Sequence, residues 1–184
     1  MHIEQTQIDL ATGVLAGPGL QEISRTIAEL VGLFRDSHAW RNLDGATLAY
    51  RVQMLCPVPE GQKGMACGTT ILEPGLVGDE YFMTKGHFHQ NPDGPEYYVT
   101  CSGEGALILM DRNRNTRWEP MRRGSIHYVP EGAAHRVANT GSESLAFFSC
   151  WPSDIGHDYE TIRDHGFSAR LRRIDGSPKL VPEP

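Results

Sequence analysis

The feature that most constrains this chain is its punctuation. Twenty glycines and twelve prolines are spread along 184 residues, and between them lie short apolar and β-branched runs. Such runs occupy 48–55 (interrupted by Pro57 and Pro59), 67–72 (ended by Pro74-Gly75), 81–89, 97–101, 106–110, 126–129, 136–138 and 145–151. Each predicts a strand. Asn91-Pro92-Asp93-Gly94-Pro95 and the polar residues 111–115 predict turns. Strands this closely spaced leave no room for the helices that a parallel sheet needs, so the expected fold is an antiparallel sandwich or barrel. Helical spacing of Ile23, Ile27, Leu30, Val31 and Phe34 predicts an amphipathic helix over 21–34. A second, short helix is expected over 158–165, and one or two short strands in the first twenty residues. No internal repeat or linker divides the chain. The expectation is one domain, with an extension at 1–45, a barrel core at 46–151 and a C-terminal segment at 152–184.

Charge and cysteine usage narrow the function classes. A formal net charge of -6 argues against broad binding to nucleic acid or anionic membrane, so an anionic small molecule would need a local basic or amide-lined pocket. Cys56, Cys67, Cys101 and Cys150 form no C-x-x-C pair, which disfavours a disulfide framework or a thiolate zinc site and favours a reducing, cytoplasmic setting. No secretion signal or long apolar run is visible, so the expectation is neither export nor a membrane span.

His87, His89, Glu96 and His135 carry the chemistry. On a strand, side chains at i and i+2 share a face, so both imidazoles of His87-x-His89 can reach one ion. Glu96 follows the 91–95 turn and returns beside them. His135 follows Pro130-Glu131-Gly132, a second turn. An H-x-H pair alone is more often a surface or hydrogen-bonded pair. Three imidazoles with one carboxylate suit Fe, Mn, Ni, Zn or Cu and suit Ca or Mg poorly.

The spacing resembles the two cupin motifs: His87-x-His89, six residues, Glu96, six residues, Gly103; then Gly124, five residues, Pro130-x-Gly132, two residues, His135, three residues, Asn139. The resemblance implies an all-β cupin fold, a double-stranded β-helix or jelly-roll barrel, here with an N-terminal extension containing a short helix. Within the cupins the chain resembles the archaeal-type glucose-6-phosphate isomerase family. Thr84-Lys85-Gly86-His87-Phe88-His89, Glu96-Tyr97-Tyr98-Val99, Tyr128-Val129-Pro130, Ala134-His135-Arg136, Gly156-His157-Asp158-Tyr159-Glu160-Thr161-Ile162 and Gly166-Phe167-Ser168 carry the likeness.

That family implies one divalent transition metal per subunit, iron foremost and Mn, Ni or Zn next, beside a sugar phosphate. Tyr50, Thr84 and Gly86 match phosphate- or sugar-binding positions; Tyr98, His157 and Tyr159 match contacts at the pocket mouth, and Thr70 is a further contact of the same kind. A lysine at 85 on a strand should point away from Thr84, into solvent. Gly86 reads equally as a β-bulge or as a site of close ligand approach. Glu96 is the expected base, and His157 the expected aid to ring opening or proton transfer. A hydride shift is the other route. An iron dioxygenase and a non-catalytic sugar-phosphate sensor are the competing functions. A homodimer is expected, with the first twenty residues offering an edge.

Overall fold

The computed structural model describes residues 5–58 and 62–183; Met1 to Glu4, Pro59 to Gly61 and Pro184 lie outside the described residues. In chain order the strands are β1 (Gln7–Ile8), β2 (Leu15–Ala16), β3 (Gln21–Thr26), β4 (Leu48–Leu55), β5 (Met65–Leu72), β6 (Leu76–Val77), β7 (Glu80–Tyr81), β8 (Phe88–His89) and β9 (Glu96–Ser102). There follow β10 (Glu104–Met110), β11 (Thr116–Arg122), β12 (Ile126–Val129), β13 (Ala134–Asn139), β14 (Leu145–Pro152), β15 (His157–Asp158), β16 (Ala169–Ile174) and β17 (Ser177–Pro182). Helices α1 (Ser37–Arg41) and α2 (Glu160–His165) are short.

The sheets are antiparallel. The largest has the order β12-β9-β14-β5-β4-β3, and β11-β10-β13 forms the sheet packed across from it. One core cluster joins the two, with Leu72, Tyr98 and Phe147 from the first and Leu107, Leu109 and Val137 from the second. Strand β9 alternates buried Glu96, Tyr98 and Thr100 with Tyr97 and Val99 turned outward, as a half-covered strand should. Strand β13 is buried on both faces. Its His135 and Val137 face the barrel, while Arg136 on the opposite face lies over the Phe167 ring at 4.0 Å. Covered faces on both sides explain why β13 shows no alternation in sequence.

A hydrogen-bond chain links three neighbouring strands. His127 Nδ1 pairs with Glu119 Oε2 at 2.9 Å and Nε2 with Ser125 Oγ at 2.8 Å. The Ser125 oxygen also accepts the Arg122 amide and donates to Thr100 Oγ1. Strands β9, β11 and β12 are thereby tied at one point.

The expected helix over 21–34 is not formed. Residues 21–26 pair as an edge strand with β4, and only Ile27–Leu30 turn as a 3-10 helix, opened by the Thr26–Glu29 capping box. Ile23 and Val31, two of the five residues on which the periodicity rested, are 39% and 70% exposed. The interstrand ladder supplies the backbone bonds, and tertiary pairing overrides the local pattern. The helix of the extension instead lies at Ser37–Arg41, where Asp36 accepts the amides of His38 and Ala39 at 3.0 and 2.8 Å. The run at 81–89 is likewise no continuous strand: Gly86 at φ 74 breaks it, leaving Glu80–Tyr81, Phe88–His89 and single bridges at Met83 and His87. Strands β3, β6, β11, β15, β16 and β17 lie outside the runs that predict strands.

Candidate metal centre

Three segments build the centre. His87 and His135 are locked backbone to backbone, each amide donating to the other's carbonyl at 3.2 and 3.1 Å. His89 ends β8. Its Nδ1–H donates to Gly94 O at 2.7 Å, which aims Nε2 at Glu96 Oε1, 2.8 Å away. Glu96 opens β9 opposite Val129. The turn between them is held from below, since the Asn91 amide donates to Ile155 O and a Cβ on Gly94 would strike the Ile155 side chain at 2.7 Å. Proline and glycine in the 91–95 spacer therefore fit a wall as well as a turn.

One donor atom from each of His87, His89, Glu96 and His135 lies within 4.8 Å of the others. The rings of His87 and His135 are 4.5 Å apart, those of His89 and His135 5.0 Å. His87 Nε2 and both ring nitrogens of His135 are buried with no hydrogen-bond partner among the described residues. Buried polar atoms without partners are costly, and here they converge. Burial first, then the neighbouring imidazoles, holds the His87 pKa well below its ordinary value. Burial likewise lowers His135, to about 4, against an opposing pull from Glu96. Both rings are thus neutral near pH 7, with lone pairs available. Burial pushes the Glu96 pKa up, but the His89 hydrogen bond and the His135 and His89 charges outweigh it and leave the carboxyl below its usual value. The imidazoles of His87, His89 and His135 with the ionised Glu96 carboxylate make a donor set that suits a divalent transition metal.

Around this cluster the structure gathers most of the remaining expected residues. His157 and Tyr159 stack on one another at 5.7 Å, and both cover His87, at 4.4 and 5.3 Å between centroids. They share a face, as their spacing predicts. Tyr98 stacks on Phe147 and sets its hydroxyl against Glu96; burial, then the Glu96 charge, raises its pKa well above the ordinary value. Tyr50 is buried with its hydroxyl against the Lys85 backbone. Thr84 holds β13 by its amide, which donates to Val137 O at 2.9 Å, and by its hydroxyl oxygen, which accepts the Val137 amide at 3.1 Å. Thr70 lies opposite Val52 and Phe147 on β5, two strands from the β9 that carries Glu96 and Tyr98. Lys85 is half-buried, and its charge contributes weakly to lowering the Glu29 pKa. At Gly86 an added Cβ would meet Arg136 Nε at 2.9 Å and His135 O at 3.0 Å, so the glycine is required by the protein's own packing.

Fold and cluster together define a cupin-type β-barrel with a candidate transition-metal centre in its interior. The family model described as glucose-6-phosphate isomerase matches residues 24–178. The glucose-6-phosphate isomerase of Pyrococcus abyssi is 38% identical over 180 residues, 97% of this chain and 94% of that protein. That of Thermococcus kodakarensis is 39% identical over 178 residues, 96% and 93% respectively. Among solved structures, Bacillus subtilis oxalate decarboxylase aligns with 59% of this chain and 26% of its own, at a TM-score of 0.48 and 24% identity. The chain belongs to the glucose-6-phosphate isomerase family.

Two participants carried no expected role in the sequence. Gly94 orients a ligand through its carbonyl, which no residue-type signal announces. Arg136 follows a proposed ligand directly in the chain, but no residue pattern announces that its guanidinium is buried.

Proposed function

We propose that this protein is a metal-dependent aldose–ketose isomerase interconverting glucose 6-phosphate and fructose 6-phosphate. The observation that carries the proposal is the convergence of four donors, three of whose buried nitrogens lack any other partner. Membership of the isomerase family supplies the reaction. His87, His89, Glu96 and His135 would hold the ion, with iron first among the candidates and Mn, Ni and Zn behind it. Bound there, a divalent ion supplies Lewis acidity toward the sugar oxygens.

The protein's own groups do the rest. Tyr50, Thr84 and Gly86 bind the phosphate end. Thr70, Tyr98, His157 and Tyr159 bind the sugar. In the enediol route Glu96 takes the C2 proton of the open-chain aldose and returns it to C1, while His157 moves the hydroxyl proton from O2 to O1; no proton is gained or lost. The low pKa of Glu96 makes it a weak base, and this favours attention to the second route, in which a hydride passes from C2 to C1 and only the O2-to-O1 proton needs a carrier. Reaction in heavy water separates the two, since deuterium enters the product carbon only by way of the enediol.

The assay is turnover of fructose 6-phosphate by chelator-treated protein, repeated after resupply of each candidate ion. Activity that ignores chelation refutes metal dependence, and oxygen uptake in place of isomerisation would favour a dioxygenase. Turnover itself excludes a mere sensor. We further assign the protein to the cytoplasm, and note that no helix among the described residues is long and apolar enough to cross a membrane. We assign it a homodimeric state. The described part of the first twenty residues pairs with itself as β1 and β2 and lies on the molecule's own sheet through Ile8 and Val14. The contact is therefore assigned to the outer face of the large sheet, where Tyr97, Tyr128, Ile126 and Met65 remain exposed.

A further inference from the structure

We propose that Arg136 is a positioning residue that fixes a positive charge beneath the Thr84–Gly86 loop and strengthens the Gly86 amide as a donor to the substrate's phosphate. The inference rests on the isomerase reading for the identity of the anion, but not for the existence of the site.

Arg136 is 6% exposed and has no carboxylate within salt-bridge distance among the described residues. Its Nη2 donates to Lys85 O at 3.1 Å, its Nη1 meets Met83 Sδ at 3.3 Å, and its plane lies on Phe167. Its Nε is buried with no partner. Glu80, the acid packed in the same region, is committed elsewhere: it accepts Arg170 Nη1 at 2.9 Å and the Arg35 amide at 2.6 Å. A guanidinium kept in the interior on a carbonyl, a thioether and a ring is under-compensated, and such a charge is costly unless an anion joins it.

The geometry shows where an anion would feel it. Lys85 C=O and Gly86 N–H are the two ends of one peptide plane. A cation hydrogen-bonded to the oxygen draws electron density along that plane and makes the N–H more acidic, as cooperative hydrogen-bond chains do. The Gly86 N–H donates to no group among the described residues. Gly86 sits at φ 74, the left-handed conformation in which successive amides form an anion-binding concavity. Beside it, the Thr84 oxygen already accepts the Val137 amide, so its hydroxyl hydrogen is free to donate outward. Tyr50 places another hydroxyl against the same backbone. The flexible cation of the loop, Lys85, is half-buried and exerts only a weak pull on Glu29. Arg136 is then the fixed charge of the loop. It also explains the glycine: a side chain at 86 would collide with the Arg136 stem at 3.0 Å.

The test uses zinc-loaded Arg136→Met and Arg136→Lys proteins of verified fold and metal content. For Arg136→Met we expect KM for fructose 6-phosphate and the inhibition constant of inorganic phosphate to rise together by tenfold or more, with kcat changed by less than threefold. Arg136→Lys should recover most of the phosphate affinity, because the charge remains. A purely structural arginine would not separate KM from kcat in this way. Inorganic phosphate should also shift the Gly86 amide resonance of the wild-type protein downfield, and the methionine variant should lose that shift. If Arg136→Met does not fold, the wild-type amide titration decides alone, and no shift overturns the proposal. A folded methionine variant with an unchanged phosphate constant overturns it too. If phosphate binds through Gly86 and Arg136 but no hexose phosphate turns over, the proposal stands and the isomerase reading falls.

Discussion

Acid should loosen this fold through His135 before it touches the carboxylates. In the folded, metal-free protein the ring is fully enclosed and its pKa is lowered from an ordinary 6.5 to about 4, burial being the main cause. A histidine with a lowered folded-state pKa is protonated first in the unfolded chain. As pH falls below 6.5 the unfolded state gains protons that the folded state refuses, so stability is lost. The loss levels off near pH 4, where the folded ring takes up its proton as well. At about 1.4 kcal/mol per tenfold change, the interval from 6.5 to about 4 is worth on the order of 3 kcal/mol. His87, lowered further, adds to the same window from the same side. Carboxylates with lowered values enter later: Asp79, held by the Arg172 guanidinium, near its ordinary 3.8, and Glu96 near its ordinary 4.5, where wild type and variant both carry it. The measurement is denaturant unfolding of chelated protein at half-unit steps from pH 7 to 4, for wild type and His135→Gln. Wild type should lose on the order of 3 kcal/mol more than the variant across that range. Equal slopes, or a flat wild-type curve, would show that the ring is not held neutral by burial and that the donor set is not preformed.

Other outcomes follow from the same geometry. Glu96→Gln should lower metal affinity by more than the roughly 10- to 100-fold that loss of a supporting hydrogen-bond partner costs a metal site, measured by competition with a chromophoric chelator. Because His87 and His135 are already neutral at pH 7, metal uptake followed by calorimetry in buffers of different ionisation heat should expel no more than about one proton per ion; two or more would contradict the lowered pKa values. Gly86→Ala should destabilise the protein by about 1–3 kcal/mol in chemical unfolding, since φ 74 and the Arg136 contact both oppose a side chain, and an unchanged midpoint would refute the strain. Tyr97→Asp together with Ile126→Asp should convert a dimer into a monomer in light scattering while leaving the far-ultraviolet circular dichroism unaltered, whereas a dimer that survives both charges would place the contact elsewhere.

What was legible in the sequence is what a single face of a strand or a tight turn imposes. Glu96, Tyr98 and Thr100 alternate because β9 has one wet side. Asp158 to His165 carried its own helix signal, and Thr161 caps back onto Asp158 through two hydrogen bonds. The helix assigned to 21–34 failed where an edge strand recruited a segment with apolar residues at three- and four-residue spacing. The Asp175-Gly176 turn, with both residues at positive φ, is a hairpin signal, but arginines and prolines interrupt the apolar pattern of the flanking β16 and β17. The site divides along the same line. The four converging donors could be read from residue type and spacing, because chemistry restricts which residues can hold an ion. The features that prepare the ligands could not, because they are backbone atoms brought from far away: Gly94 O turning His89, the reciprocal His87–His135 amides, and Lys85 O under the Arg136 guanidinium. A carbonyl carries no sequence signature. The proposed ligand quartet is therefore the part of this centre that can be transplanted as a motif, and the lowered pKa values of His87 and His135, set first by enclosure, are the part that only this fold supplies.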